Sequence, residues 1–245
     1  MQKLLLVVGG TSDIGTATAR YYAANGWRIV LAARDVEAAR NNAQEIMACT
    51  GAAVVVIELD VLQSRDMATF VENLPGLPDT VVCVVGMLGE QTRAEHDLNH
   101  AKEILRTNFE GPALLLGLLA DKLVGRASGA IVGVSSVAGD RGRASNYVYG
   151  AAKSGLTTFL AGLRHRLAAK GVRVITVKPG FVRTRMTSSL DLPRLLTAEP
   201  HEVAAAIYRA AEKGHGEVVY VRPLWRFIMT VLCAMPERIF KRLPL

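Results

Sequence analysis

Short apolar runs alternate with longer helix-like segments along the whole chain of 245 residues. The runs are mostly continuous rather than interleaved with polar residues, which is typical of strands covered on both faces of a sheet. The strand-like runs are Lys3–Val8, Arg28–Ala32, Ala53–Glu58, Thr80–Val85, Ala130–Val134, Arg173–Lys178 and Glu217–Val221. The helix-like segments between them are Ile14–Ala24, Val36–Thr50, Ser64–Asn73, Glu95–Leu123, Tyr149–Lys170 and His201–Lys213. This alternation predicts an α/β fold with one doubly wound parallel sheet of about seven strands, flanked by helices and joined by right-handed crossovers.

Composition and charge set the broad class of the protein. Half of the residues are hydrophobic, which is enough for a sizeable core. No Ser/Pro-rich linker and no internal repeat divides the chain, so residues 1–222 are predicted to form one domain, followed by a helical tail at 223–245. The net charge of +7 is not gathered into a basic stripe, and no groove-reading motif accompanies it. Binding to nucleic acid is therefore not expected.

The cysteines and the apolar segments indicate in which cellular compartment the protein is found. Cys49, Cys83 and Cys233 are far apart and show no Cys/His spacing typical of a metal site, so we expect reduced thiols in an intracellular protein and no bound metal. Leu4–Val8 is too short for the core of a signal peptide and is read as a buried strand. No apolar stretch reaches the roughly 20 residues that span a bilayer. These features favour a cytoplasmic protein.

A glycine-rich turn, Gly9-Gly10-Thr11-Ser12-Asp13-Ile14-Gly15, follows the first strand and leads into the first helix. Glycines allow the backbone to turn sharply and to approach a pyrophosphate, and the N-terminus of the helix offers free N–H groups and the positive end of a dipole. The turn predicts a Rossmann-like dinucleotide site, in which Gly9, the backbone near Ile14, and Thr11 or Ser12 hold the phosphates. The Asp13 carboxylate would repel a phosphate, so it is expected to point away or to cap the helix.

Residues after the second and third strands bear on which nicotinamide cofactor is bound. Arg34 and Asp35 follow the second strand, where an arginine accommodates the 2′-phosphate of NADP and an acidic residue binds the ribose of NAD. Arg34 comes first, which favours NADP, with NAD as the alternative, because a guanidinium can also stack on adenine. Asp60 and Val61 follow the third strand, where they can reach the adenine; a role for Asp60 in capping a turn is the alternative.

A serine, a tyrosine and a lysine supply the chemistry. Tyr149 and Lys153 are four residues apart and share one face of a helix, where an ammonium group lowers the pKa of a neighbouring phenol. Ser136 follows the fifth strand, at the edge of the sheet where ligands bind, and can hydrogen-bond a carbonyl oxygen. Together with the glycine-rich turn, this pattern predicts an NAD(P)-dependent oxidoreductase in which Tyr149 is the general acid or base.

Over nearly its whole length the sequence resembles the short-chain dehydrogenase/reductase family. The resemblance implies a Ser136–Tyr149–Lys153 triad and a helix asparagine, Asn108, that holds a water in the proton relay. It also implies that Lys153 binds the nicotinamide ribose, and that the nicotinamide lies near four further residues: Pro179, Gly180, Val182 and Thr184. Two departures stand out. Asp13 replaces a glycine of the turn, and Cys83-Val84-Val85-Gly86 replaces the usual Asn-Asn-Ala-Gly, so Gly86 would contact the cofactor with fewer side-chain hydrogen bonds nearby.

The tail and the segment before it bear on the substrate. Apolar residues of the tail follow helical spacing, beside Trp225 and a basic cluster of Arg238, Lys241 and Arg242. The tail is therefore expected either to lie on an anionic membrane or to pack on the domain or in a dimer interface. Residues 186–196 are expected to form a substrate lid. The turn and the tail together resemble the keto-reductase subunits of decaprenylphosphoryl-ribose 2-epimerases, which implies a polyprenylphosphoryl 2-keto sugar as substrate, on the inner face of the membrane.

Two other functions stay open at this point. One is a reductase of soluble ketones or 3-ketoacyl groups, whose tail only builds the interface of a homo-oligomer. The other is a scaffold that senses NADP(H) without turnover, which the intact Ser136, Tyr149 and Lys153 disfavour.

Overall fold

The computed structural model describes residues 2–188 and 190–243. Its main sheet has seven parallel strands in the order β3-β2-β1-β4-β5-β6-β9, which confirms the predicted doubly wound fold. The strands are β1 (Leu4–Val8), β2 (Arg28–Ala33), β3 (Val54–Glu58), β4 (Thr80–Cys83), β5 (Gly129–Val134), β6 (Val172–Lys178), β7 (Phe181–Val182), β8 (Thr197–Ala198) and β9 (Val218–Tyr220). The α-helices are α1 (Asp13–Ala24), α2 (Val36–Thr50), α3 (Met67–Glu72), α4 (Gln91–Ala94), α5 (Leu98–Leu105), α6 (Gly111–Arg126), α7 (Tyr147–Leu167), α8 (Pro200–Lys213), α9 (Leu224–Ala234) and α10 (Glu237–Phe240).

The core lies on both faces of the sheet, as continuous apolar strands require. All five residues of β1 are buried, and they alternate between two core clusters. Leu5 and Val7 pack on the side that holds α1, α2 and α8, whereas Leu4, Leu6 and Val8 pack on the side that holds α3, α6 and α7. Both faces are therefore covered, and functional groups are confined to the edges of the sheet.

The predicted helix Glu95–Leu123 is wrong in its limits and in its regularity. It begins at Leu98, because the Asp97 carboxylate accepts hydrogen bonds from the backbone N–H groups of Asn99 and His100. A π-helical turn, Arg106–Glu110, separates α5 from α6. Such turns are frequent at functional sites, and apolar spacing does not reveal them. Helix α6 then ends at Arg126, because the next residue, Ala127, has a φ of 55°.

Smaller differences occur near the edge of the sheet that carries the site. Helix α7 runs from Tyr147 to Leu167 rather than from Tyr149 to Lys170. The two-residue strands β7 and β8 pair with each other and bracket the predicted lid, and α4 precedes α5; none of the three was predicted from the sequence. Helix α9 packs on the domain through Trp225 and Met229, which are 5% and 2% exposed. Among the described residues, no helix combines the length and the apolar character needed to cross a bilayer.

Candidate active site

A single cavity of about 530 Å³ lies at the carboxyl ends of the strands, where the strand order reverses between β1 and β4. This is the place where open α/β sheets bind their ligands. Every predicted site residue except Asn108 lines this cavity: Gly9, Thr11, Ser12, Asp13, Ile14, Arg34, Asp60, Val61, Gly86, Ser136, Tyr149, Lys153, Pro179, Gly180, Val182 and Thr184. The fold thus brings together segments that are far apart in the sequence.

The glycine-rich turn has the close backbone packing that a phosphate cradle needs. Gly9 has a φ of +95°, a conformation that side chains rarely allow, and a Cβ atom on Gly15 would lie 2.4 Å from the Gly9 carbonyl oxygen. Ser12 is the N-cap of α1 and accepts a hydrogen bond of 2.9 Å from the Gly15 N–H. The cap is therefore Ser12 and not Asp13, and the N-terminus of α1 opens toward the cavity.

The Asp13 carboxylate is turned toward the segment that follows β7. It accepts hydrogen bonds from the Arg185 backbone N–H at 2.7 Å and from Arg185 Nε at 3.0 Å. The Arg185 guanidinium also donates to the Thr11 carbonyl oxygen. The aspartate that interrupts the glycine pattern therefore ties the start of the lid to the turn. Sequence reasoning missed this partner, because the two residues are 172 positions apart.

The charged residues that follow β2 and β3 have different roles. The Asp35 carboxylate is the N-cap of α2 and accepts a 3.0 Å hydrogen bond from the Ala38 N–H. Arg34 is exposed, lines the cavity and makes no ion pair with any residue that the structure describes. Asp60 accepts a 3.0 Å hydrogen bond from the Leu62 N–H, which is the turn role, while it also lines the cavity. The guanidinium is thus free for a ligand, whereas both carboxylates hold the backbone.

The two serines after β5 are distinguished by their partners. Ser135 lies against α7, with its hydroxyl 2.9 Å from the Lys153 carbonyl oxygen and 2.7 Å from Thr157 Oγ1. Ser136 Oγ accepts a 3.1 Å hydrogen bond from the Ala138 N–H, so its own proton can still be donated to the Tyr149 phenol or to a ligand. Lys153 Nζ lies 5.8 Å from the centroid of the Tyr149 ring, one helical turn away, and donates to the Val134 carbonyl oxygen at 3.2 Å.

Burial shifts the pKa of both catalytic candidates on α7. It raises the pKa of the Tyr149 phenol to about 12, a shift that the Ser136 hydroxyl and the charge of Arg143 only partly oppose. It lowers the pKa of the Lys153 ammonium to about 8. The expectation of a lowered phenol pKa is therefore wrong for this structure, because loss of solvation outweighs the neighbouring charges. The phenol keeps its proton at neutral pH, as a general acid must.

Asn108 lies in the π-helical turn and is completely buried. Its Nδ2 donates to the carbonyl oxygens of Met87 and Ile104 at 2.7 and 2.9 Å, and its Oδ1 accepts from the Met87 N–H at 3.1 Å. The side chain therefore holds the loop after β4, next to Gly86, and does not reach the cavity itself.

The tail helix packs behind the Pro-Gly turn that lines the cavity. A Cβ atom on Gly180 would lie 1.9 Å from the Trp225 ring, so the indole lies directly against the Pro-Gly turn after β6. Trp225 Nε1 also donates a 2.9 Å hydrogen bond to the Leu196 carbonyl oxygen, at the end of the lid. Packing of the tail on the domain was one of the alternatives that the sequence left open, but the spacing did not identify Gly180 as the partner of Trp225.

A polar network secures the loop that follows Ser136. Lys178 Nζ and the Tyr220 hydroxyl both bind the Asp140 carboxylate, at 2.5 and 2.8 Å. Arg141 donates to the Leu232 and Met235 carbonyl oxygens at the end of α9. The loop, the sheet and the tail helix are thus joined next to the site.

Comparisons with known proteins agree with this geometry. A family model described as short chain dehydrogenase matches residues 3–194. An uncharacterized oxidoreductase of Mycobacterium tuberculosis is 37% identical over 243 residues, which are 98% of this chain and 96% of the relative. An acetoacetyl-CoA reductase of Allochromatium vinosum is 30% identical over 84% of this chain and 90% of its own. The crystal structure of a short chain dehydrogenase from Burkholderia cenocepacia, in complex with NADP, has the same fold, with a TM-score of 0.83 at 22% identity over 100% of both chains.

Proposed function

The chain is an oxidoreductase of the short-chain dehydrogenase family, and we propose that it reduces a ketone to a secondary alcohol with NADPH as the hydride donor (EC 1.1.1.-). One observation carries the proposal: a single cavity collects the glycine-rich turn, Arg34 and the Ser136, Tyr149 and Lys153 side chains. A dinucleotide that extends from Arg34 to Tyr149 would bring its reactive ring next to the phenol.

The residues of the cavity fit a nicotinamide cofactor. The tight turn at Gly9 and Gly15 and the N-terminus of α1 suit a pyrophosphate. The free Arg34 guanidinium suits the 2′-phosphate of NADP, while Asp35 is occupied as a helix cap and is poorly placed to bind a ribose. The remaining contacts would come from Asp60, Val61, Gly86, and the segment from Pro179 to Thr184. When bound, NADPH supplies the hydride; the protein supplies orientation and the proton.

Three side chains would handle the carbonyl oxygen of the substrate. Ser136 donates its free hydroxyl proton to that oxygen and polarises the bond. Tyr149, whose pKa is about 12, holds the proton that the alkoxide takes up. Lys153 contributes positive charge and binds the ribose hydroxyls, and Asn108 positions the loop beside them through Met87.

The coenzyme assignment is tested by exchanging Arg34. We expect NADPH oxidation with a panel of ketones to exceed NADH oxidation, and Arg34→Ala to lower kcat/KM for NADPH by about 10- to 100-fold, since one charge-assisted phosphate contact is lost. The NADH rate should change less than threefold. Arg40→Ala, on the exposed side of α2, is the matched control. An equal loss with both coenzymes would contradict a 2′-phosphate role.

An apolar surface beside the lid supports a lipid-linked substrate. We define the tail-lid surface as Leu195, Leu224, Phe227 and Val231, which are 86%, 50%, 69% and 47% exposed. Exposed basic residues adjoin it in the tail: Arg226, Arg238, Lys241 and Arg242. Apolar side chains rimmed by cations suit an anionic membrane. We propose peripheral contact with the cytoplasmic face of the membrane and a polyprenylphosphoryl 2-keto sugar as the substrate that the contact delivers.

Vesicle flotation tests the membrane contact. The full chain is expected to float with vesicles rich in phosphatidylglycerol and to float less with phosphatidylcholine alone. Phe227→Asp combined with Val231→Asp should reduce the bound fraction at least fivefold, because two charges replace inserted apolar groups. Leu98→Asp, which alters an 83% exposed leucine on α5, is the control and should float like the wild type. Equal flotation of all three proteins would exclude the tail-lid surface as the contact.

A soluble substrate is the second candidate, because the acetoacetyl-CoA reductase relative acts on such a compound by its name. We propose a homo-oligomer in either case, supported by exposed apolar side chains along α5, the π-helical turn and α6: Leu105, Phe109, Leu114 and Leu118. Turnover of acetoacetyl-CoA that does not depend on vesicles, with no turnover of the lipid-linked ketone, would favour the soluble substrate.

A further inference from the structure

Two polar side chains lie in the loop between Ser136 and Tyr149 and have no task in the mechanism above. Arg143 and Asn146 form a turn in which the Asn146 N–H donates to the Arg143 carbonyl oxygen at 3.2 Å. Asn146 directly precedes α7, so it lies three residues before the catalytic phenol. Neither side chain lines the cavity itself, and the link to it is the Tyr149 phenol, whose pKa Arg143 lowers.

Both side chains have buried polar atoms without partners. Among residues 2–188 and 190–243, Arg143 Nε and Asn146 Oδ1 are buried and make no hydrogen bond. The neighbouring Arg141, in contrast, binds the Glu237 carboxylate and two carbonyl oxygens of the tail. A buried donor on a cation is costly to leave unpaired, so such a group points to a missing partner.

Within residues 2–188 and 190–243, no carboxylate forms an ion pair with Arg143. The Asp140 carboxylate is close enough to act on the pKa of Arg143, but Lys178 and the Tyr220 hydroxyl already bind its two oxygens. Arg143 is also close enough to Tyr149 to lower the pKa of the phenol. Lys153 Nζ is a second cationic group near the phenol, 5.8 Å from the centroid of its ring.

We propose that Arg143 and Asn146 form an oxyanion subsite, and that the physiological substrate is a ketone that carries a phosphoryl or carboxylate group near its carbonyl. The guanidinium would donate to two oxygens of that group, a geometry that a planar fork of N–H donors favours. The Asn146 amide oxygen would accept a hydrogen bond from a hydroxyl of the substrate. This inference rests on the proposed ketone reductase and narrows its substrate class.

Matched ketones test the subsite. The purified full chain with NADPH is assayed on dihydroxyacetone phosphate and on dihydroxyacetone, which differ only in the phosphoryl group. We expect the wild type to prefer the phosphorylated ketone, and Arg143→Met to lower kcat/KM for it by 10- to 100-fold, mainly through KM. The rate with dihydroxyacetone should stay within twofold, and Arg143→Lys should recover part of the loss. Arg183→Met, which alters an exposed arginine paired with Glu199, is the control.

Inorganic phosphate provides a readout that does not depend on turnover. With NADPH present to fill the phosphate cradle at the turn, phosphate should raise the Tm of the wild type and of Arg183→Met, but not that of Arg143→Met. Turnover without any preference for the anionic ketone, or equal losses on both ketones in Arg143→Met, overturns the subsite and leaves the reductase intact. Arg143-dependent stabilisation by phosphate without turnover of any ketone supports the subsite and overturns the reductase.

A third substrate distinguishes recognition of a lipid-linked phosphoryl group from recognition of a soluble one. A polyprenylphosphoryl 2-keto pentose in vesicles carries the same phosphoryl chemistry on a lipid. If Arg143→Met lowers kcat/KM for both the lipid and the soluble phosphorylated ketone, the subsite recognises the phosphoryl group itself. A loss on neither substrate contradicts the proposal.

Discussion

Replacing Tyr149 with phenylalanine is expected to lower ketone reduction by about 100- to 10,000-fold, the range that general acid catalysis contributes. The variant removes one hydroxyl group and keeps the aromatic ring, so the fold and NADPH binding should be preserved. The phenol is suited to this role because burial raises its pKa to about 12, which keeps the proton on the oxygen at neutral pH. The measurement is the initial rate of NADPH oxidation, with coenzyme affinity measured separately by fluorescence titration.

Tyr147→Phe is the matched control for that experiment. Tyr147 lies two residues earlier on the same helix, is 46% exposed and does not line the cavity. Its variant should retain at least half of the wild-type rate. If Tyr149→Phe also retained such a rate, the proton would have to come from another group, and the mechanism built on Tyr149 would be wrong. If both variants lost NADPH binding, the α7 packing would be at fault and not the proton transfer.

The fold was predictable because the alternation of apolar strands and helical segments is repeated along the chain. Most strands from β1 to β6 are nearly continuous apolar runs that alternate with helical patterns. An error in one element therefore leaves the predicted fold class unchanged. The limits of elements were less predictable, because they depend on single groups. The Asp97 cap sets the start of α5, and the π-helical turn at Asn108 depends on tertiary hydrogen bonds to Met87.

In the site, too, some residues were predictable from the sequence and some contacts were not. Tyr149 and Lys153 were found because a spacing of four residues places them on one face of a helix before any tertiary structure is known. The Asp13–Arg185 pair and the contact of Trp225 with Gly180 were not found, because they join residues that only the complete fold brings together. The direction of the phenol pKa was also missed, since burial is a property of the packed molecule and not of the spacing.

Trp225 is expected to hold the tail helix, the lid and the Pro-Gly turn together. Its ring is 5% exposed, lies edge-on to Phe181 at a centroid distance of 5.4 Å, and covers Gly180. Trp225→Ala should therefore lower the free energy of unfolding by about 3–5 kcal/mol, the usual cost of removing a buried large aromatic side chain. It should also raise KM for the ketone, because the lid loses the hydrogen bond that Leu196 accepts from the indole.

Two variants separate packing from the hydrogen bond. Trp225→Phe keeps most of the apolar contact and loses the N–H donor, so it should cost about 1–2 kcal/mol of the free energy of unfolding. Phe227→Ala, at a 69% exposed position on the same helix, should cost about 0.5 kcal/mol or less. Urea denaturation followed by circular dichroism measures all three. If Trp225→Ala were as stable as Phe227→Ala, the packing of the tail helix would not contribute to the stability of the domain. The lid would then have to be held by groups outside the tail helix.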